Sequence, residues 1–274
     1  MAETENPNDK TMPLIDHLVE LRQRLLYSFV AIIALFFVCY YYAPTIYGFL
    51  TQPLADILER SGHIGPRRLI FTALHEAFFT YVKCAFFAAA FLAFPFVATQ
   101  IWMFVAPGLY KNEKKAFLPF LAATPVLFFL GGALAYYIVF PLAWKFFLSF
   151  EQPGGDGTLP IQLEAKVDQY LSLVMQLIFA FGLCFELPVV MSLLGRAGLV
   201  TAKGMAEKRR YAVVLAFIAA AVLTPPDVIS QIGLAIPTVL LYEVSILCVR
   251  LIERSKRLRA EREDAGEVEK AAPS

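Results

Sequence analysis

Long apolar runs separated by short polar segments limit how this chain can fold more than any other feature. The runs cover residues 25–44, 76–106, 116–150, 165–195, 211–223 and 228–249. A helix needs about 20 apolar residues to cross the hydrocarbon core of a bilayer, and every run except the fifth has that length. Because hydrophobic residues make up 58% of the chain and charged ones only 17%, the sequence predicts an all-α polytopic membrane protein with six transmembrane helices.

The third and fifth runs have unusual lengths. Residues 116–150 would extend about 50 Å as a straight helix, so we expect this helix to tilt or bend. The places for a bend are Pro119, Pro125, Pro141 and the neighbours Gly131 and Gly132. Residues 211–223 would reach only about 20 Å, and the Pro-Pro-Asp turn at 225–227 favours a short antiparallel hairpin with the sixth run.

Lysine and arginine are concentrated in alternate connections between the runs. They precede the first run and follow the second, fourth and sixth: Lys10, Arg22, Arg24, Lys111, Lys114, Lys115, Arg196, Lys203, Lys208, Arg209, Arg210 and several positions from 250 to 262. By the positive-inside rule, the N and C termini are both predicted to lie in the cytoplasm.

The segments around the spans have their own predictions. Residues 1–12 are polar and predicted to be disordered, while residues 13–250 form a single membrane domain. Residues 45–75 contain turn signals and are predicted as an ordered loop outside the membrane. Residues 251–274 are a charged cytoplasmic tail, predicted as a fraying helix end followed by disorder. The first run lacks the cleavage pattern of a signal peptide, so we expect it to remain as a span.

A short amphipathic segment, residues 13–25, directly precedes the first run. Its leucines fall on one arc of a helix and most of its charges on the opposite arc, so we expect it to lie in the membrane interface. Glu20 and Arg24 have the spacing of a helical ion pair. Arg22 falls within the leucine arc, where a charge must reach water or find a partner. A plain anchor helix is the alternative interpretation.

No catalytic or metal-binding motif is found in the sequence. It lacks the phosphate-binding loop, the HExxH zinc motif and the GxSxG nucleophile motif. The four cysteines (Cys39, Cys84, Cys184 and Cys248) lie in apolar runs and have neither metal-like spacing nor a disulfide pattern. We therefore predict that the chain is not an enzyme and holds no metal or cofactor.

Glu186 is an acidic residue inside an apolar run, which is costly in a membrane and indicates a functional position. Its neighbour Pro188 leaves the carbonyl of Cys184 without its helical donor. A protonated Glu186 that repairs this kink is the alternative, and the sequence leaves both interpretations open.

Three other polar positions, Glu113, Gln231 and Glu243, also have two interpretations each. Glu113 is either a solvated loop charge or, with Glu20 on the same predicted side, one of two carboxylates that suit a guanidinium ligand. Gln231 could hydrogen-bond to a partner span, which is worth roughly 1 kcal/mol in a membrane. Like Glu243, it could instead cap a helix or repair a kink.

Four segments, taken in order, resemble the signatures of the TatC family. They are residues 14–26 (LIDHLVELRQRLL), 104–115 (FVAPGLYKNEKK), 185–188 (FELP) and 223–228 (LTPPDV). Members of this family are multispanning receptor subunits of the twin-arginine protein translocase. The resemblance implies six spans in a cup-shaped arrangement, and export of folded proteins driven by the proton-motive force.

The resemblance also implies roles for individual residues. The signal-peptide-binding surface comprises Glu20 and Glu113, which contact the twin arginines, with Arg22, Phe104 and Leu109 nearby. The other implied positions are Glu186 on the concave face, Pro53 and Asp227 on the external side, and Val222, Leu223 and Gln231 where partner subunits dock.

The resemblance further implies a set of partners and a location. The expected partners are the single-span subunits TatA and TatB, twin-arginine signal peptides of folded export substrates, the lipid bilayer and further copies of the chain. No nucleic-acid partner is predicted, and the expected location is the inner (cytoplasmic) membrane.

Two other classes of function were considered. A secondary transporter or ion channel could use Glu186 as a proton or cation site, although we find no internal repeat in the sequence and only one deep acid. A purely structural membrane scaffold would need no buried acid.

Overall fold

The computed structural model describes residues 14–60, 68–109, 118–155, 159–224 and 227–271. These residues form α-helices with the following bounds: α1 Leu14–Tyr41, α2 Ala43–Arg60, α3 Glu76–Leu109, α4 Leu118–Leu134, α5 Phe140–Leu148, α6 Val167–Phe185, α7 Leu187–Arg196, α8 Ala202–Glu207, α9 Arg209–Leu223 and α10 Val228–Ala271. A π turn, Ala135–Val139, joins α4 to α5. The predicted all-α class is confirmed.

Among the described residues, five helical stretches are long and apolar enough to cross a membrane. They are His17–Tyr41, Glu76–Phe104, Pro119–Leu148, Val167–Arg196 and Val228–Leu258. The predicted fifth span corresponds to α9, which has only 15 residues. Six spans, the cytoplasmic side of the termini and the cup shape therefore remain predictions.

The amphipathic segment and the first predicted span form one continuous helix, α1. No glycine or proline interrupts the sequence from Leu14 to Tyr41, so nothing ends the helix between its charged and apolar parts. Residues 14–25 are therefore the first turns of the same helix as the first predicted span. The position of these turns in the membrane interface stays a prediction.

The prediction of a loop over residues 45–75 was wrong for residues 45–60, which belong to the helix α2. Leu50, Leu54, Ile57 and Leu58 are buried at helical spacing and pack in the main core. This burial outweighs the low helix propensity of Gly48 and Pro53, because tertiary packing routinely overrides propensity.

The third predicted run is irregular directly before Pro141. Proline has no N–H group, so the carbonyl of Tyr137 has no donor at the usual helical position. The chain widens there into the π turn, in which the N–H group of Phe140 donates to the carbonyl of Ala135. Pro141 is thus one of the predicted places where the helix departs from regularity.

The helix α4 continues through Gly131 and Gly132. A Cβ atom on Gly131 would lie 2.5 Å from the backbone oxygen of Phe181, and one on Gly182 would lie 2.6 Å from the Phe128 ring. These glycines let α4 and α6 approach closely, as small residues do where membrane helices cross.

The last helix extends far beyond the predicted sixth span. α10 has 44 residues and ends at Ala271, so the prediction of a fraying end followed by disorder was wrong for residues up to 271. The extension is rich in Arg, Glu, Lys and Ala, which are strong helix formers. It is also joined to the bundle, because Glu253 accepts a hydrogen bond from the N–H group of Ala202 at 3.0 Å.

Candidate functional site

The amino end of α1 lies against the carboxyl end of α3 and places a carboxylate between them. The Nε atom of Arg24 donates to Oε1 of Glu20 at 2.9 Å, and a second guanidinium nitrogen contacts the same oxygen. The predicted ion pair one helical turn apart is therefore confirmed. Arg24 also contacts Oε1 of Gln100 on α3 at 3.5 Å, and Gln100 is itself buried.

The second oxygen of Glu20 is in a different environment. Oε2 is buried and has no hydrogen bond among the described residues. The Nδ1 atom of His17 lies 4.0 Å from this oxygen. The His17 ring stacks on Phe104 of α3, with ring centroids 4.2 Å apart and ring planes 12° from parallel.

We refer to His17, Glu20, Arg24, Gln100 and Phe104 as the carboxylate cluster. It brings together two of the predicted signal-peptide-binding residues, Glu20 and Phe104. Sequence reasoning missed the roles of His17 and Gln100. Gln100 could have been found, since a lone amide in the apolar run 76–106 needs a hydrogen-bond partner. The ring stack could not, because it joins residues far apart in sequence.

The other predicted residues of this surface lie beyond the cluster or outside the described residues. Arg22 is exposed on the surface of the chain, and the expectation that its charge reaches water stays a prediction. Leu109 is the last residue of α3, and its side chain is not among those described. Glu113 lies outside the described residues, so the pairing of Glu20 with Glu113 stays a prediction.

Glu186 lies at the break between α6 and α7. Its side chain is buried, with 8% of the residue exposed, and neither carboxyl oxygen accepts a hydrogen bond from a described residue. The side chain of Thr124 interacts with this carboxyl, although the two groups do not meet the distance and angle of a hydrogen bond. Both interpretations of Glu186, a functional acid and the repair of a kink, stay predictions.

Pro53 has a structural consequence that explains its position in α2. Because proline lacks an N–H group, the carbonyl of Phe49 loses its helical donor. The hydroxyl of Tyr136, in the π turn, donates to that carbonyl at 2.7 Å. The hydroxyl of Tyr170 on α6 donates to the adjacent carbonyl of Leu50 at 3.1 Å. Two tyrosines thus hold α2 at its proline.

Asp227 begins the last helix. Its Oδ2 atom accepts a hydrogen bond from the backbone N–H group of Ser230 at 2.7 Å, which is the geometry of a helix N-cap. Its Oδ1 atom is buried and without a hydrogen bond in the described residues. Asp227 therefore fixes the start of α10.

The predicted partner-docking residues end α9 and begin α10. Val222 is 73% exposed, and the carbonyl of Leu223 accepts a hydrogen bond from Nε2 of Gln176 on α6 at 2.9 Å. The amide of Gln231 donates to the carbonyl of Phe217 on α9 at 3.4 Å. Gln231 thus joins α10 to α9 within the chain, while Val222 is accessible from outside.

The described residues form no cluster of metal-binding side chains. Among the described residues, no group of three or more His, Cys, Asp or Glu side chains is placed to hold a metal ion. All four cysteines are unpaired thiols.

Comparison with known proteins identifies the family. Residues 16–237 match the family model described as Sec-independent protein translocase protein (TatC). The chain belongs to the TatC family. The TatC protein of Magnetococcus marinus is 52% identical over 265 residues, covering 96% of this chain and 92% of that protein. The Escherichia coli TatC protein is 39% identical over 253 residues, covering 92% and 94% of the two chains.

A solved structure supports the same assignment. A crystal structure described as the twin-arginine translocase receptor TatC superposes with a TM-score of 0.71 at 37% identity, covering 86% of this chain and 99% of that one. The chain is accordingly a component of the Tat translocase and a multi-pass protein of the inner membrane. Its family is one of transport subunits rather than of known enzymes.

The Tyr136 hydroxyl should matter more for stability than that of its neighbour Tyr137, which is exposed. Tyr136→Phe leaves the Phe49 carbonyl without a donor, so we expect the free energy of unfolding to fall by about 1–3 kcal/mol. Tyr137→Phe is the matched control and should change it little. Unfolding of the purified protein in detergent, followed by circular dichroism, measures the stability of both variants. Equal effects would contradict the stabilising role of the hydrogen bond from Tyr136 to the Phe49 carbonyl.

Because Glu186 accepts no hydrogen bond from a described residue, Glu186→Leu should leave the free energy of unfolding unchanged within about 1 kcal/mol, or raise it. Asp227→Ala, which removes a helix cap, should lower it by about 1 kcal/mol and shows that the assay detects such losses. A loss of several kcal/mol in Glu186→Leu would support kink repair instead.

Proposed function

We propose that this chain is the receptor subunit of the Tat translocase and binds twin-arginine signal peptides at the carboxylate cluster. The observation that supports this most is the Glu20 carboxylate, which has one oxygen held by Arg24 and the other without a hydrogen bond from any described residue. A buried acceptor of this kind is costly unless a donor reaches it. An incoming arginine supplies that donor.

The chemistry favours arginine over lysine. A guanidinium is planar, stays charged and presents its N–H groups in a fork that matches a carboxylate, whereas an ammonium is a point charge. Phe104, at the edge of the cluster, offers an aromatic face on which a guanidinium stacks. Glu113 follows closely after the end of α3 and is proposed to bind the second arginine, with Arg22 and Leu109 along the same surface.

The apolar part of the signal peptide is proposed to insert along the concave face of a six-span cup, near Glu186. In this arrangement both termini are cytoplasmic and α9 is the short fifth span. The burial of Glu186, with no hydrogen bond to its carboxyl from a described residue, supports a functional role for it. Since Glu186→Leu is expected to fold, its export activity tests that role without interference from misfolding.

The end of α9 is proposed as the docking site for the single-span partners TatA and TatB. Of the residues in α9, only Ala216 and Ala220 are buried within the chain, which leaves most of its apolar surface, including Val222, for a neighbouring helix. Leu223 and Gln231 complete this site. With these partners, and as several copies in one complex, the chain is proposed to export folded proteins using the proton-motive force.

Pro53 and Asp227 are proposed to act on the external side by fixing geometry. Pro53 sets the contacts of α2 with Tyr136 and Tyr170, and Asp227 sets the start of α10. Each holds a segment that flanks the membrane, so substitutions there disturb the external face without touching the carboxylate cluster.

One observation favours a second candidate function. Glu186 is a buried acid without a hydrogen-bond partner in the described residues, as a proton or cation site of a transporter or channel would be. Proton or cation flux into liposomes that contain this chain alone would support that alternative. The absence of flux, with intact signal-peptide binding, would exclude it.

Binding of a synthetic signal peptide to the protein in nanodiscs tests the proposal. The twin-arginine peptide should bind more tightly than its twin-lysine version. Glu20→Gln and Glu113→Gln should each weaken binding at least about tenfold, because each leaves a guanidinium without its carboxylate. Glu207→Gln, which changes an exposed acid on α8, is the matched control and should bind normally.

The opposite result has a clear meaning. If the two peptides bind equally, or if both glutamine variants bind like the native protein, then the carboxylate cluster is not the receptor site.

A further inference from the structure

The His17 ring covers both groups that an arginine guanidinium would need in the carboxylate cluster. One face of the ring lies parallel to Phe104, with the centroids 4.2 Å apart. Its Nδ1 atom lies 4.0 Å from Oε2 of Glu20, which is the oxygen without a hydrogen bond in the described residues. At 4.0 Å this nitrogen lies beside the oxygen but is too far from it for a hydrogen bond.

A guanidinium makes the same two contacts better than an imidazole does. It is a flat cation that stacks on an aromatic face and donates two N–H groups to one carboxylate. We propose that, in the unbound protein, the His17 side chain occupies the position of one arginine of the signal peptide. It is displaced when that arginine stacks on Phe104 and pairs with Oε2 of Glu20. This inference rests on the proposed function of the cluster.

The rest of the cluster is built to remain in place during this exchange. Arg24 holds the other oxygen, Oε1, through its Nε atom and contacts Gln100 on α3, so the Glu20 carboxylate keeps its position without His17. His17 lies near the start of α1, and its side chain is 38% exposed. Rotation of that side chain toward solvent therefore opens the site with no movement of either helix.

Two substitutions of His17 separate the effect of its ring from that of its nitrogen. His17→Ala uncovers both Phe104 and Oε2, so a twin-arginine peptide should bind about two- to tenfold more tightly, which is the value of one aromatic stack. His17→Phe keeps a ring on Phe104 and should bind no more tightly than the native protein. Weaker or unchanged binding by His17→Ala, or equal tightening by both variants, would overturn the inference.

Nuclear magnetic resonance observes the displacement directly. The chain has only 3 histidines, so histidine-selective labelling gives few signals, and the His17→Ala spectrum identifies that of His17. The Phe104 ring shifts this signal, and addition of the twin-arginine peptide should move it toward the value of a free histidine. An unmoved His17 signal in the presence of bound peptide would overturn the inference.

The same samples distinguish this inference from the proposed function. If the native protein prefers arginine to lysine and Glu20→Gln abolishes that preference, the receptor site stands, whatever the His17 variants do. If the native protein binds the twin-arginine and twin-lysine peptides equally, the proposed function and this inference are both rejected, because the cluster then has no arginine-binding position for His17 to occupy.

Discussion

A backbone carbonyl that loses its helical donor and is shielded from water needs a hydrogen-bond partner from elsewhere in the chain. This constraint accounts for two long-range contacts in the structure. At Pro53, the carbonyl of Phe49 accepts a hydrogen bond from Tyr136. At the end of α9, the carbonyl of Leu223 accepts one from Gln176. Both helix irregularities are therefore also points at which two helices are joined.

Two carboxylates differ from the others in what holds them. Asp227 and Glu253 each accept a hydrogen bond from a helix N–H group, which gives them a structural role. Among the described residues, Glu20 accepts hydrogen bonds from the Arg24 side chain and from no helix N–H group, and Glu186 accepts none. Asp227 also has one oxygen without a hydrogen bond among these residues, so an unsatisfied oxygen by itself does not identify a ligand site. For Glu20 and Glu186, which cap no helix, the proposed ligand roles account for the cost of burying an unsatisfied acceptor.

The spanning helices could be predicted from the sequence because apolar runs of sufficient length have few alternatives in a membrane. The helix α2 could not, since its burial depends on α3, the π turn and α6, and its own sequence contains Gly48 and Pro53. The helical extension of α10 was missed for a different reason. Its charges suggested disorder, whereas their side chains are good helix formers and Glu253 fastens the extension to α8.

The candidate site was predictable only where its contacts are local. Glu20 and Arg24 lie one turn apart, so their pairing follows from helical spacing alone. The stack of His17 on Phe104 and the contact of Arg24 with Gln100 depend on how α1 crosses α3, which no local pattern specifies. The resemblance identified Glu20 and Phe104 as members of one surface, and the structure brings them into one cluster.

The most direct test of this account measures the distance between Glu20 and the signal peptide. Solid-state nuclear magnetic resonance can detect dipolar coupling between labelled glutamate Cδ atoms and labelled guanidinium nitrogens of a bound twin-arginine peptide, with Glu20→Gln identifying the signal. A paired guanidinium predicts a carbon–nitrogen distance of about 4 Å. Bound peptide that shows no coupling to Glu20 would contradict the central claim that this carboxylate receives the arginine.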